Sequence, residues 1–342
     1  MDGWSVDPRR VNRNKRSVVL DLSNPEGAAD ARRLAVRATV LVENFRPGRL
    51  AGFGLGYDEL ATVNPGIVYC SISSFGPAGT PGADLPGYDF VVQAMSGLMD
   101  ITGPPGGPPT KVGVAVVDVL TGLYAAIGIL AALGARRLSG RGQHVEVDLM
   151  SCALASLVNQ ASAYLNTGSV PHAMGNRHPS IAPYETLATG SGVLALAAGN
   201  DRQFQALCRA LGDEPLADDE RFSTNPARVA HRDALAELLE SRLASRSTAE
   251  WVEVLRAAGV PCGPVNDLAA AFGDSRLLGV DAVVEQQGSA GMPGRVRSVA
   301  NPLGLSGSPV RYSRPPPLLG HDTDEVVAWL RTPRPAAPLD PA

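Results

Sequence analysis

The sequence predicts an α/β protein: a large Rossmann-like domain built on an open parallel sheet, followed by a smaller α+β domain. Three observations predict it. Strand-like and helix-like segments alternate through the first 76 residues, as a parallel sheet with crossover helices requires. The chain's 342 residues exceed one typical core. A second series of helices, opened by a short strand, begins past residue 175.

Residues 17–23, SVVLDLS, read as the first strand. Asn24 then caps a helix whose first turn takes Pro25 and whose inner face holds Leu34 and Val36. TVLVENF (39–45) is a β-branched strand, DELATVNPG a short helix stopped near Pro65, and IVYCSISSFG (67–76) a third strand. Ligands of such sheets bind beyond the carboxyl ends of the strands, here ENFRPG and SSFGPAGTPG. YDFVVQAMSGLM is a helical pattern, followed by the loop TGPPGGPPTK and a long helix over 119–138. HVEVDL alternates like a strand and leads into an apolar helix over 149–165. In the second region VLALAAG (193–199) is a strand preceded by a hairpin turn, TGSG. Helices follow at RQFQALCRALG, with Phe204, Leu207 and Leu211 on one face, then at RDALAELLESRLASR and at TAEWVEVLRAAG, opened by Thr248. The tail is a proline-rich strap with a short helix, and the last ten residues read as disordered. The expected domains are 1–175, 176–300 and a strap over 301–342 returning to the first.

Composition excludes several function classes. The net charge of −4 gives no field toward nucleic acid or anionic lipid. The four cysteines, Cys70, Cys152, Cys208 and Cys262, form no CxxC pair, so no metal is expected and free thiols in a reducing cytoplasm are. The N-terminus carries no apolar signal segment. The largely apolar run at 111–133 is long enough to span a membrane. It also holds Asp118 and three glycines, and a carboxylate in hydrocarbon costs about 3 kcal/mol on insertion scales. The run therefore reads as a helix buried on every side, in the centre of a large domain.

That lone acid is the main chemical signal. A carboxylate can form a covalent acyl intermediate that splits a difficult transfer into two easier steps. An acyl anhydride hydrolyses readily, which suits an acid shielded from water. At a helix start, Asp118 also has orphan N–H groups nearby, or simply caps the helix.

Nine segments in order carry a resemblance over nearly the whole chain: NRNKRSVVLDL, VLVENFRPG, NPGIVYCSISSFG, GYDFVVQAMSGLM, KVGVAVVDVLTGLYAAIGILAAL, SGRGQHVEVDLM, GNRHPSIAPYET, AGVPCGPVND and PPLLGHDTDEV. The chain resembles the class III CoA-transferases of the CaiB/BaiF family, which include formyl-CoA and carnitine CoA-transferases and α-methylacyl-CoA racemases. The resemblance implies an interlocked homodimer, with coenzyme A as substrate and no tightly bound cofactor. It implies Asp118 as the nucleophile, with Tyr88 and Asp89 beside it. It implies CoA contacts from Leu20, Asp21, Asn44, Phe45, Arg46, Lys15 and Arg16, and a substrate loop at Gly175, Asn176 and His178. The reaction implied moves CoA from an acyl-CoA to a carboxylic acid.

The resembling racemases carry histidine where this chain has Tyr88. Abstracting a proton next to a thioester needs a base near neutrality, and a phenol with a pKa near 10 is a poor one. Transfer is therefore the main reading, with racemisation or a non-catalytic CoA-binding relative as alternatives. The chain departs from the family pattern in two places. No glycine run that would close over an intermediate appears in the second region. The stretch ahead of NRNKRS is too short for the family's first strand, which leaves neighbouring strand edges to be covered.

Overall fold

The computed structural model describes residues 11–288 and 294–332; the expectation for the last ten residues lies outside them. The chain forms two compact units and crosses between them four times. The first comprises residues up to Gly87, Asp118–Cys152, and the chain from Ala271 on; the second comprises Tyr88–Val117 and Ala153–Ala270. The contiguous division expected from the sequence is therefore replaced by an interleaved one. A run of residues can be read as one domain only while the chain stays in it, and here the loop after β2 leaves and the long helix α4 returns.

The first unit holds a parallel sheet of β1 (Val40–Glu43), β2 (Val68–Ser73) and β3 (His144–Asp148), in that order. Helix α1 (Pro25–Arg37) begins as its sequence dictates: Asn24 Oδ1 accepts from the N–H of Glu26 at 2.9 Å, and Pro25 occupies the first turn. Helix α2 (Tyr57–Val63) stops before Pro65. Leu22, Ala31, Ala35 and Leu41 pack with Leu50, Leu55, Leu60, Ile67 and Tyr69 in this unit's core.

Residues 17–22 do not join the sheet. Instead, Ser17 N–H donates to Asp322 Oδ2 at 2.8 Å and Val19 N–H to Thr323 Oγ1 at 3.0 Å. The start of the last helix, α12 (Thr323–Arg331), thus takes the bonds that a neighbouring strand would have made. The unit also contains a hairpin of β7 (Val283–Gln287) and β8 (Arg295–Val299).

Helix α4 (Val116–Ser139) begins earlier than the sequence suggested. Among the described residues it is the one helix long and apolar enough to cross a membrane, by length and composition. It is not buried on every side. Thr121, Ala125 and Ala132 are buried, while Val119, Leu123, Ile127 and Leu130 are exposed. Small residues explain the difference. A Cβ on Gly128 would sit 2.8 Å from Val145 of β3, so the helix approaches the sheet through its small side and leaves its large side chains outside. The turn before β3 is equally tight: a Cβ on Gly142 would lie 1.9 Å from the Ile67 carbonyl oxygen.

The second unit contains α3 (Asp89–Met95) and an antiparallel sheet of β4 (Tyr184–Ala188), β5 (Val193–Ala197) and β6 (Cys262–Pro264). The residues between β4 and β5 form the expected hairpin turn. The expected helix over 149–165 is two, α5 (Leu149–Ser156) and α6 (Val158–Thr167), because Val158 adopts a left-handed φ of 37°. Helices α7 (Asp201–Ala210), α8 (Asn225–Ala230), α9 (Arg232–Leu243) and α10 (Thr248–Ala257) cover the antiparallel sheet. Phe204, Leu207, Leu235, Leu239, Trp251 and Leu255 fill that core. Helix α11 (Leu268–Leu277) carries the chain back to the first unit.

Two outcomes follow from these caps. Thr248 opens α10 as expected, and Ser247 caps it through a reciprocal pair with Glu250, so Ser247→Ala should lower unfolding free energy by about 1 kcal/mol in denaturant titration. The Ser17 N–H holds the Asp322 carboxyl below its ordinary range, against the opposing effect of burial. A depressed folded-state pKa gives stabilisation that is complete at neutral pH and fades as pH falls below about 4. Asp322→Asn should lower the thermal midpoint at pH 7, and the gap to the parent protein should narrow with acidification.

Candidate active site

The parallel sheet ends its three strands on one edge, and a cleft of about 350 Å³ opens there. Val42, Glu43 and Asn44 line it from the end of β1, Ile72 from β2 and Leu149 from just past β3. Asp118, Thr121 and Gly122 line it from the first turns of α4. The spacing explains the last three: residues i, i+3 and i+4 share one face of a helix. Gly122 leaves the cleft open, since nothing lies within 4 Å of where its Cβ would be. Thr121 is buried and hydrogen-bonds the Cys152 thiol, whose pKa is nonetheless raised, chiefly by burial.

Asp118 is exposed in the isolated chain, which corrects the expectation of a carboxylate shielded by its apolar neighbours. Those neighbours face outward along α4 and do not roof the cleft. Nor does Asp118 stand at the cap position, because α4 has already begun two residues before it. Asp89 serves the helix start instead. Its buried carboxylate accepts from the Val117 N–H at 2.8 Å and from Gln93 Nε2 at 2.5 Å. Gln93 in turn accepts the Val112 N–H at 2.9 Å. Tyr88 is 79 % exposed, so its ring is not a core ring of the described chain.

The residues expected to contact CoA are distributed unevenly. Asn44 shares the cleft with Asp118. Phe45 is exposed at the turn after β1, where its N–H donates to Glu43 Oε2 at 2.9 Å, and Arg46 is exposed beside it. Leu20 lines a separate apolar groove with Leu22, Leu34 and Val40. Asp21 is engaged in the turn before α1: Ser23 donates to it from both N–H and hydroxyl, which lowers its pKa. Lys15 bonds Asn12 Oδ1, and Arg16 pairs with Glu325 at 2.9 Å. The cleft as built therefore gathers Asp118 and Asn44, and none of the other six CoA-contact residues expected from the sequence lines it. Thr121 and Gly122 were legible as the i+3 and i+4 neighbours of Asp118; Ile72 and Leu149 needed the sheet register.

In the second unit, Gly175 adopts a φ of 66° and its N–H donates to the Gly103 carbonyl at 2.9 Å. Asn176 Nδ2 donates to Thr186 Oγ1 at 3.0 Å. The His178 ring lies 5.2 Å from the Tyr184 ring, and its Nδ1 accepts the Ser180 N–H at 3.2 Å. Among the described residues no cluster of metal-ligating side chains forms.

Comparison with known proteins identifies the family. The profile of CoA-transferase family III matches residues 2–323. A succinate–glutarate CoA-transferase from Agrobacterium fabrum is 43 % identical over 324 residues, covering 94 % of this chain and 80 % of that protein. A human succinyl-CoA:glutarate CoA-transferase is 36 % identical, covering 93 % and 72 % respectively. A crystal structure of a CaiB/BaiF family protein from Brucella suis superposes with a TM-score of 0.82 at 40 % identity, covering 95 % of this chain and 84 % of that one. The chain belongs to CoA-transferase family III and is an enzyme of CoA transfer.

Proposed function

We propose that the protein moves CoA between short dicarboxylic acids, with Asp118 as the covalent acceptor. The observation that carries the reading is the placement of Asp118 with Asn44 in the cleft at the strand ends. The carboxylate attacks the thioester carbonyl, expels the CoA thiolate and becomes an acyl-aspartyl anhydride. The thiolate then attacks the aspartyl carbonyl and releases the donor acid, leaving an aspartyl-CoA thioester. The acceptor carboxylate attacks this thioester and frees the thiolate again. Attack of that thiolate on the acceptor's acyl carbon yields the new acyl-CoA and returns Asp118. No net proton, oxidant or metal is required.

The positive end of the α4 dipole suits the oxyanion that develops on the aspartyl or acyl carbonyl. Asp89 takes the role of fixing that turn rather than of reacting. Arg46 suits a phosphate of CoA, and His178 a substrate carboxylate. The dicarboxylate class rests on the relatives, which are named for succinate, glutarate, oxalate, mesaconate and D-citramalate.

A second copy of the chain supplies the cover that the cleft lacks. Val119, Leu123, Ile127 and Leu130 are each more than half exposed, on one side of the helix that bears Asp118. A stripe of this kind is suited to burial against a partner. Four free cysteines, three of them buried, fit a reducing cytoplasm.

Three outcomes test the proposal. Incubation with succinyl-CoA and hydroxylamine should convert Asp118 to a hydroxamate, read by peptide mass spectrometry; an unmodified Asp118 across a panel of acyl-CoA donors would sink the nucleophile. Gly122→Val should raise KM for the acyl-CoA about tenfold, since the added side chain would occupy the open cleft beside Asp118 that the substrate must enter. Sedimentation should return twice the 35.5 kDa chain mass, and Leu130→Glu should shift it toward one chain.

A further inference from the structure

Strand β1 stops pairing one residue short of Asn44. Its register with β2 ends at the pair Glu43 and Ser71, while β2 continues beside β3 as far as the pair Ser73 and Asp148. From Asn44 on, the sheet no longer fixes the chain. One bond takes over there: Glu43 Oε2 accepts the Phe45 N–H at 2.9 Å. The turn that follows is closed by the Arg49 N–H on the Arg46 carbonyl at 2.9 Å, with Gly48 at a φ of 79°. Asn44 is thus held from both sides, by the last ladder pair before it and by the bond to Phe45 after it.

Side chains alternate along a strand, and Val42 and Asn44 both line the cleft that holds Asp118. The alternation therefore carries past the end of the ladder, to a residue whose direction no strand partner sets. A side-chain acceptor that takes a backbone N–H two residues on replaces the missing ladder bond. A polar group held this way meets its ligand without first being ordered. Glu43 also lines a second cavity, of about 180 Å³, together with Glu146 and Asp148. Action through its negative charge is the competing role, and an amide at position 43 separates the two.

We infer that Glu43 is a positioning residue for Asn44: its carboxylate oxygen holds the 43–45 backbone so that the Asn44 amide is presented to the amide-bearing arm of the acyl-CoA beside Asp118. The inference rests on the proposed transfer reaction and adds to it the group that sets the direction of a substrate contact. Glu43 acts through Asn44, and the acceptor oxygen, not the charge, is what counts. A glutamine supplies that oxygen at the same reach, whereas an alanine removes it.

Steady-state kinetics with succinyl-CoA as donor and glutarate as acceptor, and calorimetry with CoA alone, test this. Asn44→Ala should raise the donor KM and the CoA Kd about fivefold, the worth of one neutral hydrogen bond. Glu43→Ala should weaken both to a similar extent, with kcat within about twofold of the parent enzyme and the same thermal midpoint. Glu43→Gln should recover most of that loss. Adding Glu43→Ala to Asn44→Ala should bring no further rise, since the positioned group is already gone. Unchanged donor KM and CoA Kd in Glu43→Ala overturn the inference. So does a Glu43→Gln variant no better than the alanine, which would assign the effect to charge, or independent multiplication of the two effects. Asp118→Asn, measured in parallel, separates this from failure of the transfer mechanism: retained turnover there refutes the nucleophile, while the CoA affinities still decide the role of Glu43.

Discussion

Three parallel strands have to end on the same edge of their sheet, and the site depends on that constraint. β1, β2 and β3 each deliver a residue to that edge, so Asn44, Ile72 and Leu149 meet although more than a hundred positions separate the first from the last. An antiparallel arrangement would have scattered them over two edges. The sheet needs only short strands for this, and the two tight approaches at Gly128 and Gly142 bring β3 and its preceding turn close enough to complete it.

The long helix then meets two demands that compete. Its sheet-facing side is built from small residues, which permits close packing and places Asp118 over the strand ends. The large aliphatic residues are left on the other side, and the anhydride of the proposed mechanism would gain no shelter from them within one chain. Covering that stripe would both bury apolar area and dry the reaction. A single event would thus serve stability and chemistry together, which gives a physical reason for activity to depend on association.

Much of the first unit was legible in the sequence because its signals are local. Asn24 with Pro25 announced α1, and β-branched runs announced β1 and β2. Asp118 stood out for a related reason: one charge in an apolar run is conspicuous, and the cleft at the strand ends includes it. What failed were inferences that needed partners. Residues 17–23 have a strand's composition, but the N-terminal end of α12 takes their bonds. The helix beyond β3 broke at Val158, whose left-handed backbone no propensity argument favours. Asp118 was credited with a capping role that Asp89 fills from a residue pair 28 positions apart in sequence.

The interleaving of the two units bears on how such a protein can change over evolutionary time. Pieces of the first lie on both sides of the second, and the two pieces of the second flank the middle piece of the first. No one break in the gene frees either as a continuous stretch, so recombination cannot lend the first to a new neighbour while discarding the second. Novelty in this lineage has to arise by altering side chains and turns in place, with both halves inherited as a pair.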